Sequence, residues 1–431
     1  MGGMHKKHKR PWGVFLAIIL AIFFGSFVGK EGGVFGVSFY AIFDTIGTIF
    51  LNALTLVVVP LVSSSIISGI AKIGGEGAFG RLGAKMFTFY IGTSLVAILI
   101  GLFFVNVISP GTAHVHPPIN AVESEQLAQL KDRIVNQEGQ TLVGVLISIV
   151  PSNILSALSH GEMLGLIFFS LIFGYVITKI DSHHASILKG FFQGIFQAMI
   201  HFTHIIMKFL PYGVFCLVAK VFMVSGIRSL ESVGLFTLTV LIGLAVFMFI
   251  ALPLLLKWIG KVKPIRHFKA MGPALVTAFS TSSSSATLPI TIDCVEKRAG
   301  VSNRICSLVV PLGTSINMSG SALYECVAAM FIAQAYGIDL SFSTQFLVVM
   351  MALITSIGVA GIPSASLVAI LVILKVIGLP PEGIGLFIAV DRLLDMCRTT
   401  VNVFSDSCCA ILVARSEGEE NILATDNFET T

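Results

Sequence analysis

The sequence predicts an all-α integral membrane protein containing a weak internal repeat, and three observations predict it. Of 431 residues, 55% are hydrophobic and only 12% charged, against about 25% charged in ordinary globular proteins. Apolar runs long enough to span a bilayer as helices recur along the chain. In the last third, two further apolar stretches are interrupted by small polar residues at corresponding places. With a mean hydropathy of +0.93, charged side chains are too few to cover a compact body in water, so much of the surface faces lipid. Water-soluble, disordered and collagen-like folds are excluded.

The net charge of +4 is small, and the basic residues cluster beside apolar runs. They read as membrane-flanking anchors, with no nucleic acid as partner. The seven cysteines (216, 294, 306, 326, 397, 408 and 409) lie mostly in apolar stretches without CxxC spacing. They read as core residues, neither a disulfide framework nor a zinc site.

The N-terminal cluster Lys6, Lys7, Lys9 and Arg10 precedes an apolar run from Trp12 to Val28. The run reads as an uncleaved first membrane helix: it is longer than a usual signal core, and GSFVGK offers no A-x-A cleavage pattern. The Gly2 start lacks the Ser/Thr of a myristoylation signal. Further helical segments follow at 40–71, 84–109, 141–180, 190–225 and 232–256. Segment 141–180 is too long for one straight crossing and contains Pro151, Asn153 and Gly161, so it is expected to break or tilt strongly. Residues 110–140, with Glu123, Glu125, Lys131, Asp132, Arg133 and Glu138, form the one long polar loop. Counting from a cytoplasmic N-terminus, Lys72, Arg81 and Lys85 fall inside, as do Lys257, Lys261, Lys263, Arg266 and Lys269.

Beyond Lys269 the interruptions are Ser282 to Ser285 in AFSTSSSSATLPIT and Gly361 to Ser366 in VAGIPSASLV. Each half is too short to cross about 30 Å of hydrocarbon, so each stretch is expected to enter and leave on one side as a hairpin. Each is followed by a longer helix with a polar centre: the first pair covers 265–336 with Asn317, the second 344–414 with Asn402. Such a pair of interrupted segments points to an inverted-repeat transporter with its site at the membrane midplane.

In the last helix, Asp391, Asp395, Arg398, Asn402 and Asp406 are spaced four, three, four and four, which puts them within about 80° of one another. Unpaired charges at that depth cost several kcal/mol each, so the stripe should face protein or a charged ligand. A self-neutralising network that only joins helices is the alternative, and a stripe net acidic by two argues against it. Asn317, Ser319, Ser321 and Glu325 add polar groups in the preceding helix. Glu325 reads equally as a protonated core residue or a proton carrier. Half-helix N-termini at the hairpin tips present N–H groups to anions, with serine hydroxyls beside them.

Other motifs are discounted. Gly75 to Gly80 (GEGAFG) matches GxGxxG but lies between membrane helices, and no GxxxxGK[ST] is present, so a nucleotide site and an ATP-driven pump are not supported. His201 and His204 lack a third metal ligand nearby and read as interfacial packing. The Asn317-Met318-Ser319 sequon lies within a membrane segment.

SSSSATLPIT, PLGTSINMSGSALYE, AGIPSA and DRLLDMCRTTVNVFSD, with PLVSSSIISGIA and PYGVFCLVAK earlier, closely resemble the glutamate/aspartate:cation symporters, which include the excitatory amino acid transporters. The resemblance covers essentially the whole chain. It implies eight membrane helices plus two re-entrant helical hairpins, in inverted repeats, and a homotrimeric elevator-type transporter. Scaffold helices 1–2 would occupy 12–83 and scaffold helices 4–5 141–228. The transport domain would take helix 3 (84–109) and 229–415, with an extracellular loop at 110–140 and a cytoplasmic tail at 416–431. Both termini would be cytoplasmic, in a bacterial inner membrane.

The resemblance implies that Arg398 holds the substrate's side-chain carboxylate and Asp395 its α-ammonium, which agrees with the bidentate fork of a guanidinium. Thr399, Asn402, Ser321 and Asp391 would complete the polar contacts. The α-carboxylate would meet Ser283 and Ser284 at the first tip and Ile362 and Pro363 at the second. Met318 would separate substrate from sodium. One sodium would use Asp406, Asn402, Asn317 and the Gly313 carbonyl; a second, carbonyls around Ser315, Ser356, Ile357 and Val359. Such oxygen ligands suit a hard cation.

Two departures matter. Asn317-Met318-Ser319-Gly320 stands where the family usually has NMDG, which removes the carboxylate of a third sodium site beside Tyr90, Thr93 and Ser94. The relatives' second arginine is also absent, its places being taken by Ser282 and Met396. The stripe keeps a charge of minus two and an acidic amino acid adds minus one, so about three cations are expected. Two would be sodium; the third is either a proton, with Glu325 as its carrier, or a weakly held sodium. The expected function is sodium-coupled import of aspartate or glutamate, with no enzymatic activity. The alternatives are a neutral amino acid or C4-dicarboxylate carrier of the same fold, an intramembrane aspartyl protease, for which the GxGD motif is missing, and an anion channel.

Overall fold

The computed structural model describes residues 12–28, 32–34, 37–73, 79–112, 150–160, 163–225, 229–358 and 366–423. The N-terminal basic cluster, most of the polar loop, and the second hairpin tip with Val359, Ile362 and Pro363 lie outside the described residues.

Helix α1 spans Trp12–Val28. A two-stranded antiparallel ribbon, β1 (Gly33–Val34) and β2 (Val37–Ser38), leads into α2, Phe39–Ile73. Helix α3 covers Phe79–Ile108. Within 141–180 the described residues are non-helical at 150–153, around Pro151 and Asn153, and helical in α4 (Ile154–His160) and α5 (Met163–Ile177); residues 141–149 and 161–162 lie outside the description. Segment 190–225, expected as one helix, is also two: α6 (Ser182–Met207) and α7 (Leu210–Ser225). Pro211 accounts for the division, because it has no N–H for the Met207 carbonyl and its ring would clash with it, whereas the first turn of a new helix accepts proline. Helix α6 also begins before the apolar segment, where Asp181 accepts the His183 and His184 N–H groups, each at 3.1 Å.

Helix α8 (Ser229–Val246) continues through a π turn, Phe247–Ala251, into α9 (Leu252–Trp258). The interrupted stretches follow. Helices α10 (Pro264–Thr281) and α11 (Ser284–Asp293) pack on one another, as do α14 (Phe342–Gly358) and α15 (Ser366–Val376). Between the hairpins, α12 (Asn303–Ile316) and α13 (Ser319–Ala335) form one path broken at Asn317-Met318, and α16 (Ile388–Ser416) closes the fold unbroken.

Packing places α1 along α7, and α2 against α5, α6 and α7. Helix α13 is buried almost throughout and meets α3, α8, α14, α15 and α16. Among the described residues, four stretches are long and apolar enough to cross a membrane: Phe39–Ala71, Arg81–Thr112, Glu231–Trp258 and Asn303–Ala335. Large apolar side chains point outward, among them Phe27, 76% exposed, and Leu56, 66% exposed, as a lipid-facing surface requires. One half-buried ion pair escaped the sequence reading: the buried Lys220 on α7 donates to the partly exposed Asp44 on α2 at 2.6 Å and lies over the Tyr40 ring.

Beyond α16 the chain folds back along one end of the bundle. Lys85 and Arg81 on α3 pair with Glu417, and Lys85 also donates to the Ser416 carbonyl at 2.8 Å. Glu419 accepts the Ser302 N–H at 3.1 Å, and the Leu423 N–H reaches the Ala299 carbonyl at 2.9 Å.

Candidate functional site

Helix α16 carries no glycine or proline from Ile388 to Ser416, so nothing interrupts its periodicity, and its polar stripe stays on one face. Asp391, Asp395, Arg398, Thr399, Asn402 and Asp406 are all buried. Arg398 is the centre of this array and is fully buried. Its Nη1 donates to Asp391 Oδ1 at 3.0 Å and its Nη2 to Asp395 Oδ1 at 2.9 Å. Its guanidinium carbon lies 3.8 Å from the centroid of the Tyr324 ring, close enough for a cation–π contact. The Tyr324 hydroxyl donates to the same Asp391 oxygen at 3.0 Å.

Arg392 changes the charge count. It lies off the stripe at 100° from Asp391, yet its long side chain returns to Asp395, with Nη1 3.4 Å from Oδ2. Two guanidiniums therefore face two carboxylates. The stripe taken with Arg392 is net acidic by one, carried by Asp406, and not by two as the spacing argument had it. Helical angle alone hid this pair because it locates Cβ and not the end of an arginine.

The α12–α13 break forms the next layer. Neither Asn317 nor Met318 has helical backbone angles, with ψ at 65° and 57°. Asn402 reaches across from α16: its Oδ1 accepts the Gly320 N–H at 2.8 Å and the Ser321 N–H at 3.3 Å, and its Nδ2 donates to Ser321 Oγ at 3.1 Å. Two N–H groups left open by the break are thus satisfied by a side chain from another helix. Gly320 permits the approach, since a Cβ there would stand 2.9 Å from the Arg398 carbonyl.

Behind the break, Asn317 Nδ2 donates to Asp406 Oδ1 at 2.9 Å and to Ser405 Oγ at 3.2 Å. Asn317 Oδ1 accepts from Thr93 at 3.1 Å, Ser94 at 3.4 Å and Ser319 at 2.9 Å. Ser319 Oγ also lies 3.2 Å from Ser94 Oγ and 3.1 Å from Ser405 Oγ. Asn317 and Asp406 of the first sodium set thus share one hydrogen-bonded cluster with Thr93, Ser94 and Ser319 of the third and with Ser405, which the sequence reading missed, whereas Asn402 of the first set turns to Gly320 and Ser321. Tyr90 is buried nearby and donates to the Val309 carbonyl. Gly313 packs against Asp406, whose Oδ1 would be 2.7 Å from a Cβ at that position.

Ser315 and Ile357 are partly buried and Ser356 is buried, on helices α12 and α14, which pack together. Glu325 faces the same α14: its Oε2 accepts from Thr355 Oγ1 at 2.8 Å, a partner the sequence reading lacked. At the first hairpin tip, Ser282 adopts a left-handed φ of 51° and Ser283 caps α11, accepting the Ala286 N–H at 3.2 Å. Ser284 is buried at the first turn, and α11 packs on α16.

Among the described residues, four buried polar atoms of this region have no hydrogen-bond partner: Ser282 Oγ, Glu325 Oε1, Arg398 Nε and Asp406 Oδ2. An unpartnered buried carboxylate oxygen suits a hard cation, and an unpartnered guanidinium Nε suits an anion. Arg398 and Asp406, of opposite charge, lie eight residues apart on the same buried face of α16.

Such a site, set between a helix break and paired hairpins in a helical membrane protein, is that of a secondary transporter. The chain belongs to the sodium:dicarboxylate symporter family, whose profile matches residues 12–416. It is 36% identical over 417 residues to the proton/sodium-glutamate symport protein of Bacillus caldotenax, covering 96% of each chain. To the proton/glutamate-aspartate symporter of Escherichia coli (strain K12) it is 33% identical over 411 residues, covering 95% of this chain and 93% of that one. To excitatory amino acid transporter 3 of Mus musculus it is 35% identical over 433 residues, with 91% and 82% covered.

Proposed function

We propose that this chain is a secondary active symporter that imports aspartate or glutamate with sodium. The observation that carries the reading is Arg398: a guanidinium fully buried inside a membrane protein, with an unpartnered Nε edge and a carboxylate, Asp395, beside it. That pairing suits a ligand with a carboxylate and an ammonium, and it disfavours both neutral amino acids and simple dicarboxylates. The relatives named for glutamate and aspartate symport support it.

In this reading Arg398 receives the side-chain carboxylate and Asp395 the α-ammonium, while Ser283 and Ser284 at the first tip and Ile362 and Pro363 at the second meet the α-carboxylate. Asp391, Ser321, Thr399 and Asn402 line the site, and Met318 separates substrate from cation. Asp406, Asn317, Asn402 and the Gly313 carbonyl hold one sodium; Ser315, Ser356, Ile357 and Val359 hold the other. With Arg392 counted, an acidic amino acid of net charge minus one asks for two cations, one fewer than the stripe alone suggests. Glu325 is the group able to carry a proton in addition.

Residues 84–109 and 229–415 act as the moving transport domain against a scaffold of 12–83 and 141–228, in a trimer with cytoplasmic termini in a bacterial inner membrane. The second hairpin closes when cations and substrate have neutralised the site together, which prevents slippage. The test is radiolabelled aspartate uptake by purified protein in proteoliposomes, with sodium and pH gradients imposed separately. Uptake driven by the sodium gradient is the expected result. Uptake indifferent to sodium overturns the reading, and proton movement during uptake decides the part of Glu325.

A further inference from the structure

We infer that Arg392 is a positioning residue of the acidic-substrate site: it holds Asp395 when Arg398 turns from that carboxylate to a ligand. The inference rests on the proposed assignment of Arg398 and Asp395 to substrate.

Both terminal nitrogens of Arg398 are engaged, Nη1 by Asp391 and Nη2 by Asp395. The contact with Asp391 is the better supported of the two, because Tyr324 donates to the same oxygen and its ring lies under the guanidinium. The Nε atom is unpartnered among the described residues. Nε and Nη2 form one edge of the guanidinium, the geometry that takes a carboxylate through two parallel bonds. That edge opens to a ligand by a single change, the release of Asp395 Oδ1 by Nη2.

Release has a cost. Asp395 is 5% exposed, and a buried carboxylate that loses its cation is strongly destabilised. Arg392 already stands 3.4 Å from the other oxygen, Oδ2, and is only partly buried. A short closing movement turns that loose contact into a charge-assisted hydrogen bond. Asp395 then keeps one permanent cationic partner on Oδ2, while Oδ1, vacated by Arg398, faces the ligand's ammonium. Arg392 touches no ligand in this scheme; it acts through Asp395. The same arrangement predicts selectivity. A ligand without a second carboxylate does not draw Arg398 away, so it gains nothing from Arg392.

The experiment compares wild type, Arg392→Gln and Arg392→Lys in proteoliposomes, with Arg398→Cys and Asp395→Asn as controls on the site. KM and kcat are measured for L-aspartate, and the inhibition constant for L-serine, a zwitterion lacking the second carboxylate. Arg392→Gln is expected to raise the aspartate KM about tenfold while kcat stays within about twofold and serine inhibition is unchanged. Arg392→Lys is expected to return KM to within about threefold of wild type. An unchanged aspartate KM in Arg392→Gln, or equal shifts for aspartate and serine, overturns the role of Arg392 when Arg398→Cys still loses acidic preference. Retained acidic preference in both control variants overturns the site assignment itself, and the inference with it.

Discussion

The Asn402 side chain on α16 and the Gly320 N–H on α13 are joined by a 2.8 Å hydrogen bond across the helix break. Asn402 therefore caps a half-helix as well as lining the site, and the two roles are separable. Asn402→Ala leaves the Gly320 and Ser321 N–H groups buried without an acceptor, at about 1–3 kcal/mol for each unsatisfied group. Asn402→Asp keeps the accepting oxygen and loses the donor to Ser321. Thermal unfolding in detergent should show a clear drop for the alanine variant and a smaller one for aspartate. Equal loss in both would show that the cap contributes little.

Gly313 is the second close approach. A methyl group there would stand 2.7 Å from Asp406 Oδ1, so the carboxylate must move away from the Asn317 amide that now holds it. Gly313→Ala is expected to weaken sodium binding about tenfold, equivalent to about 1.4 kcal/mol. The sodium dependence of aspartate binding to purified protein measures this. A melting curve in sodium-free buffer separates the effect from misfolding, and unchanged sodium affinity would place the cation elsewhere.

The returning segment after α16 has its own pH dependence. A hydrogen bond from Lys85 holds the Glu417 carboxylate below its ordinary range, with Arg81 adding to the effect. A depressed carboxylate stabilises the folded arrangement above its unfolded pKa, and that contribution is lost as pH falls through the lowered folded value. Hydrogen-exchange protection factors at residues 416–423, corrected for the intrinsic slowing of exchange with acidity, should fall at acid pH in wild type. Glu417→Gln should exchange faster already at neutral pH and lose most of the acid response. A wild-type profile flat with pH would rule the ion pair out as the fastening.

How far this was legible in the sequence depended on the kind of signal. Spacing of four, three, four and four on an uninterrupted helix was enough to place Asp391 to Asp406 on one buried face, because helical periodicity fixes Cβ direction. The serine interruption at Ser282 and the break at Asn317-Met318 were likewise visible, as polar residues inside apolar runs. Arg392 and Tyr324 were not, because their contribution comes from the reach and ring of a long side chain. Thr355 was missed because a single threonine in an apolar helix carries no periodic signal. The α6–α7 division was missed because the apolar run is continuous across Pro211 and only the backbone registers the missing N–H.

Ser319 is one of the two points at which this chain departs from the pattern it otherwise resembles. Its hydroxyl sits among Ser94, Ser405 and Asn317, all within 3.2 Å. These groups satisfy one another without a cation. Ser319→Asp would place a carboxylate in that buried cluster, where an unpaired negative charge is costly until a cation arrives. Two consequences follow from linkage. The variant should melt lower than wild type without sodium, and its melting temperature should rise more steeply with sodium concentration. The Hill slope for sodium in aspartate binding should increase by about one, the sign of an added coupled ion. Potassium in place of sodium should not reproduce the rise, since the cluster offers small, closely spaced oxygens. A variant that melts lower at every sodium concentration, with an unchanged slope, would mean that the cluster cannot hold a cation even when its charge is restored.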